Sequence, residues 1–142
     1  MKSIFITTIF LSTIQIVLHA QQVDVPKTVA QSFNSRYPHA ATEQWEKLHN
    51  RYEVDFYLNG KKMRSCFSHD GTWNNTCRQV QPNELPQSVL SATNKAANAG
   101  WTIDEVYEWQ ISGKPLEYHV SYKKGRQKKE IIITALGHVV SK

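Results

Sequence analysis

The sequence predicts an α+β fold built from two tandem repeats, each with one helix packed on about four antiparallel strands. The first observation is a motif that occurs twice, as Val25-Pro26-Lys27-Thr28-Val29 and as Leu85-Pro86-Gln87-Ser88-Val89. The second is the alternation of apolar and polar residues after each motif, which is the period of a strand with one buried face. The third is length, because 142 residues make one ordinary domain or two small ones and are too few for an α/β barrel with its helices.

Composition places the chain among folded proteins. Hydrophobic residues make up 40% of it and charged residues 20%, so the low hydrophobicity and high charge of a disordered chain are absent. The 17 basic and 12 acidic residues give a net charge of +5, which is not gathered into long basic blocks. The sequence therefore predicts no nucleic-acid partner.

Residues 1–20 are expected to leave the mature protein as a signal peptide. Lys2 precedes an apolar, uncharged run, and Leu18-His19-Ala20 ends that run with a small residue where signal peptidase cuts. The run is also about as long as a membrane span, so a retained anchor is the alternative. Its serines, threonines and glutamine favour cleavage, which leaves Gln21 as the N-terminus. We therefore expect a periplasmic or secreted protein with no stable membrane insertion after cleavage.

Each copy of the repeated motif is expected to open a helix. Its proline stands at the first helical position, where a missing N–H is tolerated. In the first copy, Val29, Phe33 and Tyr37 fall four residues apart and make an apolar stripe that ends at Pro38. A slimmer stripe runs through residues 89–97 in the second copy. Both helices are amphipathic, so each needs a surface to cover.

An antiparallel sheet is the surface that the sequence predicts. Tyr52, Val54 and Phe56 alternate with polar residues, as they do in a strand with one buried face. Asn59-Gly60 and Asp70-Gly71 then supply two-residue hairpin turns. These features predict a meander of strands after the first helix.

The second part of the chain shows the same features again. Residues 118–122 alternate as residues 52–56 do, and Gly125 supplies the following turn. A weaker strand is expected before each set, at residues 42–48 and 102–111. One helix on four strands buries only a thin core, so we expect the two units to share one sheet or to dock closely.

The order and spacing of these motifs carry a family resemblance. The features are VP..V...F...YP, Trp45, Tyr52-Glu53-Val54-Asp55-Phe56, Asn59-Gly60, Asp70-Gly71-Thr72-Trp73 and a second LP..V. They resemble the PepSY-like proteins of the Bacteroides group, an exported family that is also similar in fold to the β-lactamase inhibitor protein. The resemblance covers nearly the whole mature chain and implies PepSY-like repeats at 21–82 and 83–142. It also implies a periplasmic or outer-surface location and a role in binding or inhibiting other proteins, without catalytic residues.

Cys66 and Cys77 are predicted to form a disulfide. Export brings the chain into an oxidising compartment, where two thiols persist as a bridge. If Asp70-Gly71 is the turn, Cys66 pairs with Asn75 and Cys77 lies one diagonal step away on the same face, a gap that twist or a bulge would have to close. Two separate thiols are the alternative.

No catalytic site, metal or cofactor is predicted. Ser68-His69-Asp70 contains the residue types of a catalytic triad, but adjacent strand residues point to opposite faces, so it is interpreted as a turn. The chain has no HExxH or CxxC spacing for a metal. Two carboxylates, Glu53 and Asp55, share a strand face that would suit acid–base chemistry. The next strand offers Lys62 and Arg64 at the same parity, so cross-strand ion pairs are expected instead.

Aromatic residues indicate a candidate binding surface. The alternation places Tyr57 on the sheet face opposite the helices, and a turn at residues 70–71 pairs Ser68 with Trp73 and puts Trp73 on that same face. Core packing is the alternative interpretation for the tryptophans and is preferred for Trp45 and Trp101. Tyrosine, tryptophan and arginine are enriched at the energetic centres of protein interfaces. The candidate binding residues are Tyr57, Arg64, Trp73, Trp109 and His119.

The predicted function is therefore non-enzymatic binding of a protein or peptide partner in the cell envelope through this sheet face. Inhibition of a peptidase or another envelope protein is the narrower version that the resemblance implies. The alternative is a periplasmic carrier that holds a small apolar or anionic ligand between helices and sheet. A buried cavity of roughly several hundred Å³ would favour the carrier.

Overall fold

The computed structural model describes residues 23–97 and 100–141. The predicted signal peptide and the new N-terminus at Gln21 lie outside the described residues. The helices are α1 (Lys27–Arg36) and α2 (Gln87–Ala97), with a short 3-10 helix at Pro82–Glu84 before α2. The strands are β1 (Ala41–Leu48), β2 (Arg51–Leu58), β3 (Lys61–Ser68), β4 (Trp73–Gln79), β5 (Thr102–Ile111), β6 (Glu117–Lys124), β7 (Gln127–Thr134) and β8 (Val139–Ser141).

The strands form one antiparallel sheet in which the spatial order from β1 to β8 is the order of the sequence. β4 pairs directly with β5, from Asn75 opposite Ile111 to Gln79 opposite Tyr107. The predicted fold class is therefore wrong, because the chain forms one eight-stranded sheet with two helices and not two tandem units of four strands. Separate units would leave the hydrogen-bonding groups of β4 and β5 unpaired, and the joined sheet satisfies them. The two edge strands of the sheet also differ in length, since β1 has eight residues and β8 has three.

Both helices lie on the same face of the sheet. The strand register puts Val54 and Val120 on this face, which we call the helix face. Two hydrophobic clusters fill the space under the helices, one around Phe33 of α1 and one around Val89 of α2. The apolar stripe predicted for α1 is confirmed, and Trp45 and Trp101 pack against the two clusters as expected.

Aromatic rings dominate the cluster under α1. Phe33 is fully buried and lies at its centre. The centroid of its ring lies 5.5 Å from that of Tyr37, 5.2 Å from Trp45, 5.0 Å from Phe56 and 6.2 Å from Phe67. Most of these pairs are edge-to-face, which is a favourable arrangement for aromatic side chains.

Two glycine turns press against the helices. Gly71, in the turn between β3 and β4, has a φ of 90°, and a Cβ atom at this position would lie 2.8 Å from the carbonyl oxygen of Thr28 in α1. Gly137, between β7 and β8, has a φ of 84°, and a Cβ atom at this position would lie 2.6 Å from the carbonyl oxygen of Ser88 in α2. Only glycine combines this backbone conformation with so close an approach.

A bulge in β4 changes the face that Trp73 occupies. Cys66 pairs with Asn75 as predicted, but Phe67 pairs with Trp73, so Asn74 is an extra residue. The predicted pairing of Ser68 with Trp73 is therefore wrong. A shift of one residue moves a side chain to the other face, and Trp73 packs on the helix face against the α1 cluster. The predicted position of Trp73 on the outer face is wrong for this reason.

Candidate functional site

The candidate site lies on the sheet face turned away from α1 and α2, which we call the open face. Its side chains come from alternate residues of neighbouring strands. The register places four of the five predicted binding residues there: Tyr57, Arg64, Trp109 and His119. Trp73 is the exception. On the helix face its indole N–H donates to Thr76 Oγ1 at 2.9 Å, and the guanidinium of Arg36 stacks 3.5 Å from its ring centroid.

Ion pairs cover the open face over β2 and β3. Arg64 donates two hydrogen bonds to Asp55, at 2.6 and 3.0 Å, and Lys62 Nζ lies 3.4 Å from the same carboxylate. These hydrogen bonds and charges hold the pKa of Asp55 below its ordinary value, the hydrogen bond from Arg64 being the largest cause. Glu53 pairs instead with Arg51 of its own strand, at 3.2 Å. The expected cross-strand pairing is thus confirmed for Asp55, and both carboxylates have cationic partners.

A shallow depression of about 250 Å³ lies at the centre of the open face. Arg64, Cys77, Gln79 and Tyr107 contribute to its lining. The volume is below the range of about 300 to 1,000 Å³ that small-molecule sites occupy. It has room for a single side chain of a partner.

A second group of polar and aromatic side chains lies on the open face over β5, β6 and β7. The rings of Trp109 and His119 have centroids 5.3 Å apart. His119 Nε2 lies 3.6 Å from Glu117 Oε2, and His119 Nδ1 lies 3.4 Å from Glu130 Oε1. Glu117 is buried, with 8% of its surface exposed, and the buried Nε2 of His119 has no hydrogen-bond partner within the described residues.

Sequence reasoning missed two residues of this face, Tyr107 and Glu117. Tyr107 has the parity of Trp109, and Glu117 has the parity of His119, so the alternation rule that found their neighbours would have placed both on the open face. The depth at which Glu117 lies had no signal in the sequence, because a glutamate at the start of a strand is usually exposed.

The turn after β3 contains Ser68-His69-Asp70, as predicted. The N–H of Gly71 donates to the carbonyl oxygen of Ser68 at 3.0 Å, and the N–H of Thr72 donates to Asp70 Oδ1 at 2.9 Å. Asp70 therefore supports the turn. His69 and Asp70 are exposed, and His69 packs its ring 6.0 Å from that of Tyr52.

A larger groove of about 610 Å³ lies between α2 and the last two strands, β7 and β8. Its lining includes the apolar residues Ile131, Leu136 and Val139 and the lysines Lys95 and Lys129. Leu136 and Val139 are exposed, so this is a groove on the surface. The groove lies on the helix side of the sheet edge, away from the four candidate residues of the open face.

Cys66 and Cys77 are free thiols, and the predicted disulfide is wrong. Cys66 pairs with Asn75 and Cys77 pairs with Arg64, so the two cysteines are diagonal neighbours in a regular part of the ladder. Diagonal neighbours lie about 7–8 Å apart, whereas the two Cα atoms of a disulfide lie within about 6.8 Å. The bulge comes after Cys66 on the side of the turn and does not shorten this distance.

Thiol labelling is expected to find two protected, unbridged cysteines. Burial raises the pKa of Cys66 and raises that of Cys77 to about 11, so little of the reactive thiolate is present at neutral pH. Without reductant, the native protein should react slowly with a maleimide, and the protein unfolded in guanidinium should gain two labels by mass spectrometry. Unfolded protein that gains no label would contradict this expectation.

Several solved structures are similar to this chain. A candidate periplasmic protein of Bacteroides eggerthii shares 23% identity, covers 83% of this chain and 87% of its own, and has a TM-score of 0.75. A DUF2874 family protein of Bacteroides ovatus shares 21% identity over 84% of this chain and 87% of its own, with a TM-score of 0.78. A BLIP-like (β-lactamase-inhibitor-protein-like) protein of Bacteroides fragilis shares 21% identity over 84% of this chain and 86% of its own, also with a TM-score of 0.78.

At this level of identity the likeness shows the fold. The BLIP-like fold that the sequence resemblance implied is confirmed, whereas membership of the PepSY-like family is not shown. No family model and no curated protein matches the chain. The predicted periplasmic or secreted location agrees with the candidate periplasmic neighbour. Among the described residues, neither helix has the length and apolar character that a membrane crossing requires.

Proposed function

We propose that this protein is a non-enzymatic, exported binding module that holds a protein or peptide partner of the cell envelope on the open face of its sheet. The observation that carries the proposal is the presence of Tyr57, Tyr107, Trp109 and Arg64 on one sheet face that α1 and α2 leave uncovered. These residue types contribute most to binding energy in protein interfaces. Tyr57 is 44% exposed although it belongs to a strand of the sheet.

The size of the open face fits a protein partner. Neighbouring strands lie about 4.8 Å apart, and eight residues of a strand span about 26 Å. The seven longer strands, β1 to β7, are separated by six such spacings. The open face over them therefore has an area of roughly 750 Å². This is close to the area of about 800 Å² that each partner buries in a standard protein interface.

The basic side chains in the ion pairs of the open face lie at and beside its central depression. Arg64, Lys62 and Arg51 are more than half exposed at their side chains, so they remain available to a partner. Exposed pairs of this kind contribute little to stability but guide the orientation of an approaching partner. The aromatic side chains supply the affinity in this proposal, and the charged ones supply the orientation.

The narrower version of the proposal is inhibition of a peptidase or another envelope protein. It is supported by the BLIP-like fold of the Bacteroides fragilis protein and by the candidate periplasmic neighbour from Bacteroides eggerthii. The narrower proposal also includes membership of the PepSY-like family, which rests on the spacing of the sequence motifs. A fold hosts many functions, so inhibition has less support than binding.

The carrier remains the second candidate because of the groove beside α2. Its volume of about 610 Å³ is that of a small-molecule site, and Lys95 and Lys129 would favour an anionic ligand with an apolar body. The groove is open to solvent along Leu136 and Val139. A carrier of this kind would use the helix face and leave the open face unused.

The test compares two variants as bait in affinity capture from envelope extract. The double variant Tyr57→Ala and Trp109→Ala is expected to lose at least 10-fold of the partner held by the unaltered protein, since each hot-spot aromatic contributes about 2 kcal/mol or more. Its circular-dichroism melting temperature should fall only slightly, because Tyr57 is exposed and Trp109 half-buried.

The control bait carries Lys95→Ala and Leu136→Ala in the groove beside α2. It should hold the same partner as the unaltered protein. Loss of the partner by this control, together with full capture by the open-face variant, would place the binding site in the groove beside α2 and contradict binding through the open face.

A further inference from the structure

We propose that Glu117, His119 and Glu130 form a subsite of the open face that takes a cationic side chain, lysine or arginine, from the partner. The inference rests on the proposed function and adds the chemistry of the group that is recognised. It starts from the contacts of His119 with the two carboxylates, at 3.6 and 3.4 Å. Trp109 forms the wall of the subsite toward β5.

Charge is unbalanced at this position of the sheet. Asp55, Asp104 and Glu108 each have an arginine or lysine partner within 4 Å. Within the described ranges, Glu117 and Glu130 have only His119, which carries a charge only when it is protonated. The subsite therefore has two carboxylates and no permanent cation.

On the open face, the nearest basic residues of the same strands are already engaged. Lys123 of β6 and Lys128 of β7 lie 2.8 and 3.1 Å from the two oxygens of Asp104. The residues directly opposite His119 are Tyr107 on β5 and Ile132 on β7, and neither is basic. A cation for Glu117 and Glu130 has to come from outside the described part of the chain.

Glu117 is a largely buried carboxylate with a single, long ion-pair contact. Only 8% of the residue is exposed, and its oxygen Oε2 lies 3.6 Å from His119 Nε2. A buried charged group is unfavourable unless it is paired and hydrogen-bonded. A carboxylate held at this depth, whose neighbour is charged only when protonated, gains more from a cationic partner than an exposed one does.

The proton positions of His119 point to the same kind of ligand. In the neutral imidazole one ring nitrogen donates and the other accepts. Nδ1 faces Glu130 at 3.4 Å and Nε2 faces Glu117 at 3.6 Å, so a neutral ring can donate to only one of the two carboxylates. The other carboxylate then faces an acceptor nitrogen with no donor between them. Guanidinium and ammonium groups have only donors, so either of them supplies the donor that this carboxylate lacks.

Trp109 adds an aromatic surface beside these acceptors. It lies directly opposite Glu117 in the ladder, and its ring is 5.3 Å from that of His119. The face of an indole ring attracts cations, and arginine most often. The Glu117 carboxylate and the Trp109 indole therefore lie on neighbouring strands at the same level of the open face.

The test uses N-acetyl-arginine amide as the probe and its uncharged analogue N-acetyl-citrulline amide as the control. In an NMR titration of the full chain, the arginine probe is expected to shift the ring signals of His119 and Trp109 and to saturate at millimolar concentration. The citrulline analogue should bind at least 10-fold more weakly. Equal shifts with both compounds, or no shift of either ring, would overturn the proposal.

Two variants separate the subsite from a general effect of charge. Glu117→Gln is expected to weaken binding of the arginine probe at least 10-fold, whereas Glu46→Gln should leave it unchanged. Glu46 is exposed on the same face of β1, and its replacement changes the net charge equally. If Glu117→Gln does not fold, Glu130→Gln takes its place, because Glu130 is exposed. Equal weakening by Glu46→Gln would refute the subsite.

The probe does not require the natural partner, so this test and the capture test fail separately. Specific binding of the arginine probe combined with unaltered capture by the open-face variant would contradict the proposed function and leave the subsite standing. Loss of capture by the open-face variant, together with no binding of the arginine probe, would contradict the subsite and leave the proposed function standing.

Discussion

Gly71→Ala is expected to destabilise the protein by about 2–4 kcal/mol, because two penalties coincide at this residue. The φ of 90° is unfavourable for any residue with a side chain. The added methyl group would also lie 2.8 Å from the carbonyl oxygen of Thr28, a backbone atom of α1 that has to move with its helix. Urea denaturation followed by circular dichroism measures the loss.

The matched control is Gly60→Ala, in the hairpin between β2 and β3. Gly60 has a φ of 75°, but no heavy atom lies within 4 Å of the position of a Cβ. This variant carries the backbone penalty alone and should lose about 1–2 kcal/mol. Equal losses in the two variants would show that the approach of the turn to α1 contributes nothing.

Phe33→Ala is expected to cost about 3–5 kcal/mol of the free energy of unfolding. Phe33 is fully buried, and four aromatic rings surround it with centroids 5.0 to 6.2 Å away. The rigid rings of Tyr37, just after α1, and of three strands cannot all move inward, so the substitution leaves a cavity. With a total stability of about 5–15 kcal/mol in ordinary domains, the variant comes close to unfolding.

Leu136→Ala is the control for this variant, since Leu136 is 75% exposed. Its unfolding midpoint in urea should stay within experimental error of the unaltered protein. A loss below 1 kcal/mol for Phe33→Ala would contradict the description of this ring as the centre of the α1 cluster.

The elements were predictable where one local rule decides. Period-two alternation from Tyr52 to Phe56 gave β2, and proline at the start of an apolar stripe gave α1 and α2. The two-residue turn at Asn59-Gly60 has positive φ at both positions, as such hairpins require. Local conformational preference and the burial of one face agree at these positions, so the sequence signal is strong.

The bulge at Asn74 could not be predicted from the same rules. Its position depends on how β4 fits against β3, and nothing in the stretch from Trp73 to Cys77 identifies the extra residue. One inserted residue reversed the face assigned to Trp73. The cysteines are a different case, because the predicted pairing already placed Cys66 and Cys77 one diagonal step apart, and the bulge lies outside that step.

The pairing of β4 with β5 and the burial of Glu117 depend on tertiary contacts between residues far apart in the sequence. Whether two strands far apart in sequence join depends on the free edges that they would otherwise leave, which no local pattern encodes. Most of the open face was accessible to sequence reasoning, since it follows from parity alone. The chemical character of its subsite could not be predicted in this way, because the charge balance around His119 depends on which lysines form ion pairs with Asp104.

The strand order of the sheet has a consequence for how the chain folds. Because every strand pairs with the next one along the sequence, most pairings close loops of only a few residues and lose little chain entropy. Such a topology has a low contact order for a protein rich in strands, and low contact order accompanies fast folding. The connection between β4 and β5, residues 80–101, is the longest between neighbouring strands. Closure of this loop, which contains α2 and joins β5 to β4, is therefore the pairing step that loses the most chain entropy.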